Sequence, residues 1–322
     1  MRLPGPGHEQ GFALVAVLLV LALLGVIGAE FAFSMRLEAT MVRSYEDGII
    51  AAHLAEAAVA QAIREIVTDA PLVGTPNDEP LTFFHTALSP LPRLPREAVP
   101  LGTGQFAYTI TDEESRIDLN RAPPERVERL LAVLGLEKQV RDTIVDSLQD
   151  WQDANEEHRL NGAESEDTYL KLPVPYRSRN APVEDIRELL QIHGMTPEIY
   201  YGQDRQPALR DFVTVHATGQ VNINTAPEIV LKALGLSEAE VSEIVQSRRL
   251  TPYTLVPPKL TGRGLVTATT TFRIESAGLV AGVPRARVTA IVQKRAGARG
   301  DPEVVVLGWN PNAETPAASP VR

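Results

Sequence analysis

A loop from Asp150 to Tyr169 carries seven carboxylates, together with Asn155 and Asn161. Hard cations such as calcium take about six to eight oxygen ligands from carboxylates, amides and backbone carbonyls. The spacing is not that of an EF-hand, and His158 has no histidine or cysteine nearby with which to form a zinc site. Two interpretations follow from these residues alone: a calcium site, or an acidic loop screened by solvent.

Motifs for catalysis are absent from the sequence. It contains no G-x-S-x-G, no P-loop, no H-E-x-x-H and no cysteine. Ser115 and His216 have no neighbours in the sequence that suggest a catalytic triad. We therefore predict that the protein is not an enzyme. The lack of cysteine also excludes disulfides and thiolate metal sites.

The residues from Phe12 to Ala29 contain no charge and no side-chain hydrogen-bonding group. As a helix, such a run of about 18 residues approaches the thickness of a bilayer core. Its apolar residues cover every face, which is not the pattern of an amphipathic surface helix. We predict a transmembrane anchor, and the residues expected to anchor it are Leu14, Val15, Ala16, Leu19 and Leu23.

The helical pattern continues beyond Glu30, but it becomes amphipathic. From Ala39 to Ile66, apolar residues recur at three- and four-residue spacing with charged residues between them. No A-x-A cleavage site follows the apolar core, so a cleaved secretory signal peptide is not predicted. The combined rod from Phe12 to Val67 would be about 80 Å long, with a kink predicted at Gly48.

Extended segments lie on either side of a helical middle region. The proline-rich stretch from Asp69 to Gly104 is predicted to be a connection, because proline disfavours long helices and central strands. Alternating or β-branched residues predict strands at Gln105–Asp112, Thr269–Gly278, Arg285–Arg295 and Val304–Trp309. These strands would form an antiparallel sheet that packs on the amphipathic half of the rod.

The middle region contains a repeated motif. The sequence from Ile117 to Pro123 recurs from Val221 to Pro227, and each copy precedes a short amphipathic helix that ends in Leu-Gly-Leu. Second helices are predicted near Glu137–Trp151 and Ser237–Arg248, and a further helix over Val183–His193. Asn120 and Asn224 are predicted at or near the N-caps. The pattern is that of a helix-hairpin-helix unit used twice.

Helix-hairpin-helix units often bind DNA phosphates. The charge of this region therefore decides between DNA binding and a structural scaffold. The segment from Asp112 to Asp211 contains 13 Lys and Arg against 22 Asp and Glu, and the whole chain has a net charge of −10. DNA affinity depends largely on neutralising phosphates, which this surface would repel. We predict a scaffold of packed helical hairpins and no nucleic-acid partner.

The N-terminal segment resembles the type IV prepilin-like signature, in which a polar leader ending in glycine precedes a phenylalanine and an apolar helix. In that family a prepilin peptidase cuts after the glycine, so the resemblance implies cleavage between Gly11 and Phe12 and N-methylation of Phe12. Most pilins and pseudopilins have glutamate at the fifth mature position, where this sequence has Ala16. A subunit at a filament tip has no neighbour above it with which to pair such a buried carboxylate. With no glutamate at this position and with the inserted hairpins, the sequence resembles the minor pseudopilin K family of type II secretion systems.

The resemblance implies a pilin-like α/β (α+β) fold: a long N-terminal helix packed on an antiparallel sheet, with a large inserted all-helical domain of the helix-hairpin-helix or SAM-like type. It implies a single-pass protein of the inner membrane with its soluble domain in the periplasm. At the tip of the pseudopilus, such a protein would help to initiate or cap the filament for the export of folded proteins. Expected partners are the minor pseudopilins I and J, with H as a further candidate, the prepilin peptidase and the inner membrane.

One alternative function also fits the sequence. A membrane-anchored DNA-binding protein of the competence type also joins a membrane helix to helix-hairpin-helix units. Its binding function would require a surface that tolerates DNA phosphates, which the negative charge of this chain opposes.

The same resemblance favours calcium in the acidic loop. Related proteins bind calcium in this domain and carry a D-W-x-D-x-[DN] stretch, matched here from Asp150, followed by N-G-A-E and an acidic-aromatic end. Asn155 stands where an aspartate is common, which would weaken a site. Trp151 and Tyr169 are predicted to be core or wall residues. The expected ligands are Asp153, Glu157, Glu164 and Asp167.

The predicted organisation has six segments. They are a prepilin leader (1–11), the N-terminal transmembrane and amphipathic helix (12–68), a pilin-like part with the proline-rich connection and first strand (69–111), the inserted helical domain (112–251), the C-terminal antiparallel strands of the pilin-like domain (252–309) and a disordered tail (310–322).

Overall fold

The computed structural model describes residues 9–68, 70–203, 206–297 and 301–311. Its longest element is helix α1, Glu9–Ile66, which continues through Gly48 without a break in its helical assignment. Its 58 residues correspond to a length of about 87 Å. The predicted long helical rod is confirmed, and the kink expected at Gly48 does not interrupt its helical assignment. Residues 1–8 of the predicted leader lie outside the described residues.

In the described part of the chain, five short helices follow α1. They are α2 (Pro124–Val133), α3 (Lys138–Gln152), α4 (Pro197–Tyr201), α5 (Glu228–Ala233) and α6 (Glu238–Leu250). Short 3-10 segments connect several of the elements. They span Pro76–Asp78, Glu113–Ser115, Tyr169–Lys171, Ile186–Gln191, Leu209–Asp211 and Pro258–Leu260.

The strands fall into one large sheet and three small ones. They are β1 (Leu72–Gly74), β2 (Thr82–Thr86), β3 (Ser89–Pro90), β4 (Val99–Leu101), β5 (Gly104–Asp112), β6 (Ile117–Asp118), β7 (Val213–Thr214), β8 (Val221–Asn222), β9 (Leu265–Val266), β10 (Thr271–Val280), β11 (Val283–Ala296) and β12 (Pro302–Asn310). The large sheet has the order β12-β11-β10-β5-β4, and all its neighbours are antiparallel.

The second half of α1 lies across one face of the large sheet. Its small and branched residues recur every three or four positions and are all buried: Ala51, Leu54, Ala55, Ala58, Val59, Ala62 and Ile66. They meet the alternate residues of the strands, such as Phe272 and Ile274. A Cβ atom on Gly278 of β10 would lie 1.9 Å from the carbonyl oxygen of Ala51, so only glycine permits this close approach.

The helical domain has a core of its own, separate from the core beneath α1. Buried residues from both hairpins form it, including Leu130, Leu131, Ile144, Leu231 and Ile244. Two parallel strand pairs tie distant parts of this domain together: β6 with β7, and β8 with β9. A long helix on an antiparallel sheet with a helical insertion is the fold predicted from the sequence, and that prediction is confirmed.

The structure corrects the predicted end of the helical domain at residue 251. Leu260 and Leu265 are buried in the helical core, and Val221 of β8 pairs with Leu265 of β9. Residues up to Val266 therefore pack with the helices before the chain returns to the large sheet. At the other end, Asn310 belongs to β12 and pairs with Thr289, while residues 312–322 of the predicted tail lie outside the described part of the chain.

One further local prediction is wrong, and another is refined. The helix expected over Val183–His193 is only a 3-10 segment, Ile186–Gln191, which begins at a capping box between Asp185 and Glu188. The N-caps of α2 and α5 are Pro123 and Pro227, and neither helix has a side-chain cap hydrogen bond. Asn120 and Asn224, three residues earlier, therefore do not cap these helices, and their side chains bind elsewhere.

Candidate functional site

The first half of α1 projects beyond the sheet with its apolar residues uncovered. An 18-residue window of this helix has a mean hydropathy of 3.0, and none of that window is buried. The predicted anchor residues Leu14, Val15, Leu19 and Leu23 are all more than half exposed. Such an uncovered apolar helix is long and apolar enough to cross a membrane and fits a single-pass anchor.

The predicted processing site lies at the start of this helix. Gly11 falls within the first turn of α1, and the side chain of Phe12 is 79% exposed. Ala16 lies on the exposed helix without a charged group of its own. The position of the site is compatible with access by a peptidase, while cleavage itself remains a prediction.

In the acidic loop, an arginine holds two carboxylates together. The Arg159 guanidinium donates through Nη1 to Asp150 Oδ1 at 2.5 Å and to Asp153 Oδ2 at 2.6 Å. Asp150 lies in the last turn of α3 and is fully buried. Gly162 packs directly against it, because a Cβ there would lie 1.8 Å from Asp150 Oδ2. The loop thus wraps around the Asp150 carboxylate.

Glu164 lies beside this pair and is almost completely buried. Its Oε2 accepts a hydrogen bond from Ser178 Oγ at 2.8 Å, whereas its Oε1 is buried without a partner. Burial raises the pKa of Glu164, and the charges of Asp150 and Glu156 raise it further against the opposing hydrogen bond from Ser178. An unpartnered buried carboxylate oxygen near other carboxylates is the kind of feature that a bound cation would satisfy.

The other two predicted ligands lie at the surface. Asp167 contacts the ring of His158, with Oδ2 and Nε2 3.3 Å apart, and the Glu157 side chain is exposed. The backbone carbonyl of Arg159, followed by the carboxylates of Asp167, Asp150 and Glu164, raises the pKa of His158. Across the described residues, no three histidine or carboxylate side chains converge as they would around a bound metal ion. The structure therefore brings Asp153 and Glu164 toward Asp150 and leaves Glu157 and Asp167 outside.

Asp150 is the buried carboxylate of the loop that the sequence-based choice of ligands did not include. A signal for it was present, because helical spacing places Asp150 on the same face of α3 as Ser147, and both are buried. The neighbouring Trp151 packs edge-on against Tyr169, with ring centroids 5.4 Å apart. Both rings are buried in the helical core, so their prediction as core residues is confirmed.

The two repeats bind distant backbone in the same way. Asn224 Oδ1 accepts the N–H of Tyr253 at 2.6 Å, and its Nδ2 donates to the Tyr253 carbonyl at 3.0 Å. Asn120 holds Val183 by the equivalent pair of bonds, both of 2.9 Å. The repeated asparagine therefore fastens a later loop to each hairpin. This role positions the acidic loop, because the Asn120–Val183 link closes the segment that contains it.

Comparisons with known proteins identify similar sequences. Residues 109–217 match the family model described as type II secretion system (T2SS), protein K. The chain is 32% identical over 145 residues to type II secretion system protein K of Pectobacterium carotovorum, an alignment that spans 42% of each chain. It is 28% identical over 259 residues to the protein of the same name from Klebsiella pneumoniae, covering 76% of this chain and 74% of that one. The corresponding Pseudomonas aeruginosa protein is 24% identical over 261 residues, or 74% and 72% of the two chains.

A solved structure has the same fold. A chain from the crystal structure of the GspK-GspI-GspJ complex of the enterotoxigenic Escherichia coli type 2 secretion system matches with a TM-score of 0.65. The match covers 86% of this chain and 100% of that chain at 19% sequence identity. A match of this coverage and TM-score shows a shared fold.

Proposed function

Because the chain is similar to type II secretion system protein K, we propose that it is a minor pseudopilin at the tip of the secretion pseudopilus. There it helps to initiate or cap the filament during the export of folded proteins from the periplasm. Its role is structural, and the long helix and the inserted domain are the parts that perform it. The inner membrane holds the anchor, and the domain from residue 51 onward lies on the periplasmic side.

The observation that carries this proposal is the continuity of α1. One helix has an uncovered apolar first half and a second half buried against the sheet. The first half therefore has two suitable environments: lipid before assembly and the helices of neighbouring subunits in a filament. The helical domain is attached at the end of β5, where its bulk would oppose the stacking of another subunit above it.

The partners proposed are the minor pseudopilins I and J, by analogy with the complex in which the structural neighbour was solved. The test is to coexpress the full chain with the I and J pseudopilins of the same secretion system and to extract the membranes with mild detergent. We expect the three proteins to elute together by size-exclusion chromatography. Elution of this chain alone, while I and J remain associated with each other, would contradict the proposal.

The DNA-binding alternative receives no support from the comparisons, which return secretion proteins. Several arginines of the hairpins are already engaged with backbone carbonyls: Arg129 donates to Ala233 O at 3.0 Å, and Arg126 to Gly219 O at 2.8 Å. We expect no gel shift of duplex DNA by the full chain at physiological salt. A shift that weakens with rising salt would revive the alternative.

The missing charge at position 16 leads to a prediction about assembly. Ala16→Glu adds a carboxylate to the exposed anchor, where no packing of the folded domain is disturbed. We expect the variant to fold normally and to remain confined to the filament tip, as measured by labelling this chain on isolated pseudopili. Labelling along the whole filament would contradict the tip position.

We also propose that the acidic loop binds calcium through Asp150, Asp153 and Glu164, which would have to move together around the ion, since no three carboxylates converge among the described residues. The three carboxylates would supply hard oxygen ligands, and the unpartnered Oε1 of Glu164 supports their fit to a cation. Arg159 now holds Asp150 and Asp153, so it would have to give up these contacts. Calcium would act as a structural crosslink between α3 and the loop. Glu157 and Asp167, predicted from the sequence, would lie at its rim.

Calcium is expected to stabilise the wild-type chain by about 2.7 kcal/mol at one hundred times its dissociation constant. Glu164→Gln should weaken calcium binding about tenfold or more, because one charged ligand is lost. The measurement is the shift in thermal unfolding between calcium and a chelator, and Glu166→Gln is the matched exposed control. Equal shifts in both variants would exclude Glu164 as a ligand, and a loss of the calcium shift in Glu157→Gln would add Glu157 to the proposed ligands.

A further inference from the structure

Three consecutive carboxylates are buried where the sheet meets the helical domain. Asp112 ends β5, and Glu113 and Glu114 begin the 3-10 turn that follows it. None of the three is more than 2% exposed. We refer to Asp112, Glu113 and Glu114 as the acidic junction. The proposed assembly function does not make use of it.

The acidic junction contacts both parts of the protein. In the helical domain, Asp112 Oδ2 accepts hydrogen bonds from Asn222 Nδ2 at 2.9 Å and from Thr225 Oγ1 at 2.5 Å. On the sheet side, Glu114 Oε2 accepts the N–H of Thr271, the first residue of β10, at 3.1 Å. The orientation of the second hairpin relative to the sheet therefore depends on these two carboxyl groups.

The charges within the acidic junction are unevenly compensated. Glu113 forms ion pairs with two arginines: Arg116 Nη1 lies 2.5 Å and Arg273 Nε 2.6 Å from its Oε1. These arginines hold the pKa of Glu113 at about 2 against the opposing effect of burial. Asp112 and Glu114 receive hydrogen bonds from hydroxyl and N–H groups instead, and in the described part of the chain no ion pair reaches either of them.

One hydroxyl lies between the two uncompensated carboxyl groups. Thr269 Oγ1 is within hydrogen-bond distance of both Asp112 Oδ1 and Glu114 Oε2. A hydroxyl group has a single hydrogen to donate, so it can satisfy only one of these oxygens when both groups are ionised. The other contact would then bring an ionised carboxylate against an oxygen lone pair in a buried site, which is strongly unfavourable.

We propose that Asp112 and Glu114 hold one proton between them, and that this proton fastens the helical domain to the sheet. With one carboxyl group protonated, both contacts of Thr269 can be hydrogen bonds, and only one negative charge remains. The acidic junction then responds to pH near neutrality, because loss of the proton leaves two buried like charges side by side.

The electrostatics of the site support the same conclusion. Burial, followed by the charge of Glu114, raises the pKa of Asp112 to about 7, although donors from Thr225, Thr269 and Asn222 lower it. The ordinary value is near 4, so the folded protein binds this proton more tightly than the unfolded chain. The contribution of this proton to the free energy of unfolding is complete below about pH 4 and is lost as the pH rises through about 7. The charged groups around Asp112 and Glu114 are Glu113, Arg116 and Arg273. His216 lies near Glu113, and burial lowers the pKa of its imidazole.

The test is the pH dependence of thermal unfolding of the full chain in detergent micelles. We expect the wild-type melting temperature to fall by several degrees between pH 6 and pH 8, roughly 3 °C or more. Glu114→Gln keeps the size of the side chain and its acceptor for Thr271, but removes the second charge. In this variant the decrease in melting temperature between pH 6 and pH 8 should be less than half of the wild-type decrease. His216 is present in both proteins, so its titration cancels in the comparison.

Glu113→Gln is the matched control within the same cluster. It should lower the melting temperature at every pH and leave the wild-type slope unchanged, because it disrupts the pairs with Arg116 and Arg273. Infrared titration of the wild type provides a measurement that needs no variant: the carbonyl band of a protonated buried carboxyl group should be present at pH 6 and lost by pH 8. The absence of that band at pH 6, or a wild-type slope in Glu114→Gln, would overturn the proposal.

Discussion

Replacing Glu65 with alanine is expected to lower the free energy of unfolding by about 3–5 kcal/mol, because it leaves an arginine buried without its partner. Glu65 lies on α1 beneath the sheet and is 5% exposed. Arg96 meets it with two parallel contacts, Nε to Oε1 at 3.1 Å and Nη2 to Oε2 at 2.7 Å. The hydroxyl of Tyr108 also donates to Glu65. The three groups join helix, connection and strand.

The burial of this cluster explains why its loss should be costly. Burial, followed by the hydrogen bond to Glu65, raises the pKa of Tyr108 to about 12, so the hydroxyl keeps its proton and remains a donor. Arg96 Nη1 donates in addition to the Leu81 carbonyl at 2.9 Å, which fixes the proline-rich connection to the rod. Without Glu65, the guanidinium would have to find water or pull this connection away from α1.

An exposed ion pair in the same connection provides the matched control. Glu79 and Arg93 are 2.8 Å apart, but the Glu79 side chain is 51% exposed. Glu79→Ala should cost less than about 1 kcal/mol, because water replaces the lost partner. Urea unfolding followed by far-UV circular dichroism measures both variants. Similar losses for Glu65→Ala and Glu79→Ala would show that burial does not give the Glu65 cluster its importance.

Replacing Asn224 with alanine should lower the stability of the helical domain by about 3 kcal/mol. The side chain is fully buried and satisfies both backbone groups of Tyr253, and its Nδ2 also donates to the Thr267 carbonyl at 3.2 Å. Each buried polar group left without a partner costs roughly 1–3 kcal/mol. The loop that runs from α6 to β9 would lose its attachment to the second hairpin.

Tryptophan emission can measure this effect, because the chain has two tryptophans in different places. Trp151 is buried in the helical core, whereas Trp309 lies on β12 at the edge of the sheet, so a Trp309→Phe background reports on the helical domain alone. Gln246→Ala on the exposed face of α6 should change the unfolding midpoint by less than about 0.5 kcal/mol in free energy. An Asn224→Ala effect no larger than that of the control would mean that the Tyr253 contacts contribute little.

Periodicity was sufficient to predict the elements whose burial follows a simple repeat. The apolar run before Glu30, the amphipathic half of α1 and the alternating strands β10 and β11 all follow from the spacing of apolar residues. The repeated hairpins were visible for the same reason. These patterns need only local information, because each element buries one recognisable face.

The polar interior could not be predicted in the same way. Glu65 and Arg96 are 31 positions apart, and Asp112 and Thr269 are 157 positions apart, so their pairing depends on the complete fold. A run of three acids normally indicates a solvated surface, and only the arginines and hydroxyls brought in by other segments allow its burial. The same applies to the repeated asparagines, which were predicted at or near helix caps but bind backbone in distant loops.

The most direct test of the central claim is the mass of the N-terminal peptide of the protein extracted from membranes that contain a prepilin peptidase. A pseudopilin would begin at Phe12, with one methyl group on its amine, because the peptidase cleaves after Gly11 and retains the apolar helix. A chain that still begins at Met1 in those membranes would contradict the assignment of this protein as a pseudopilin.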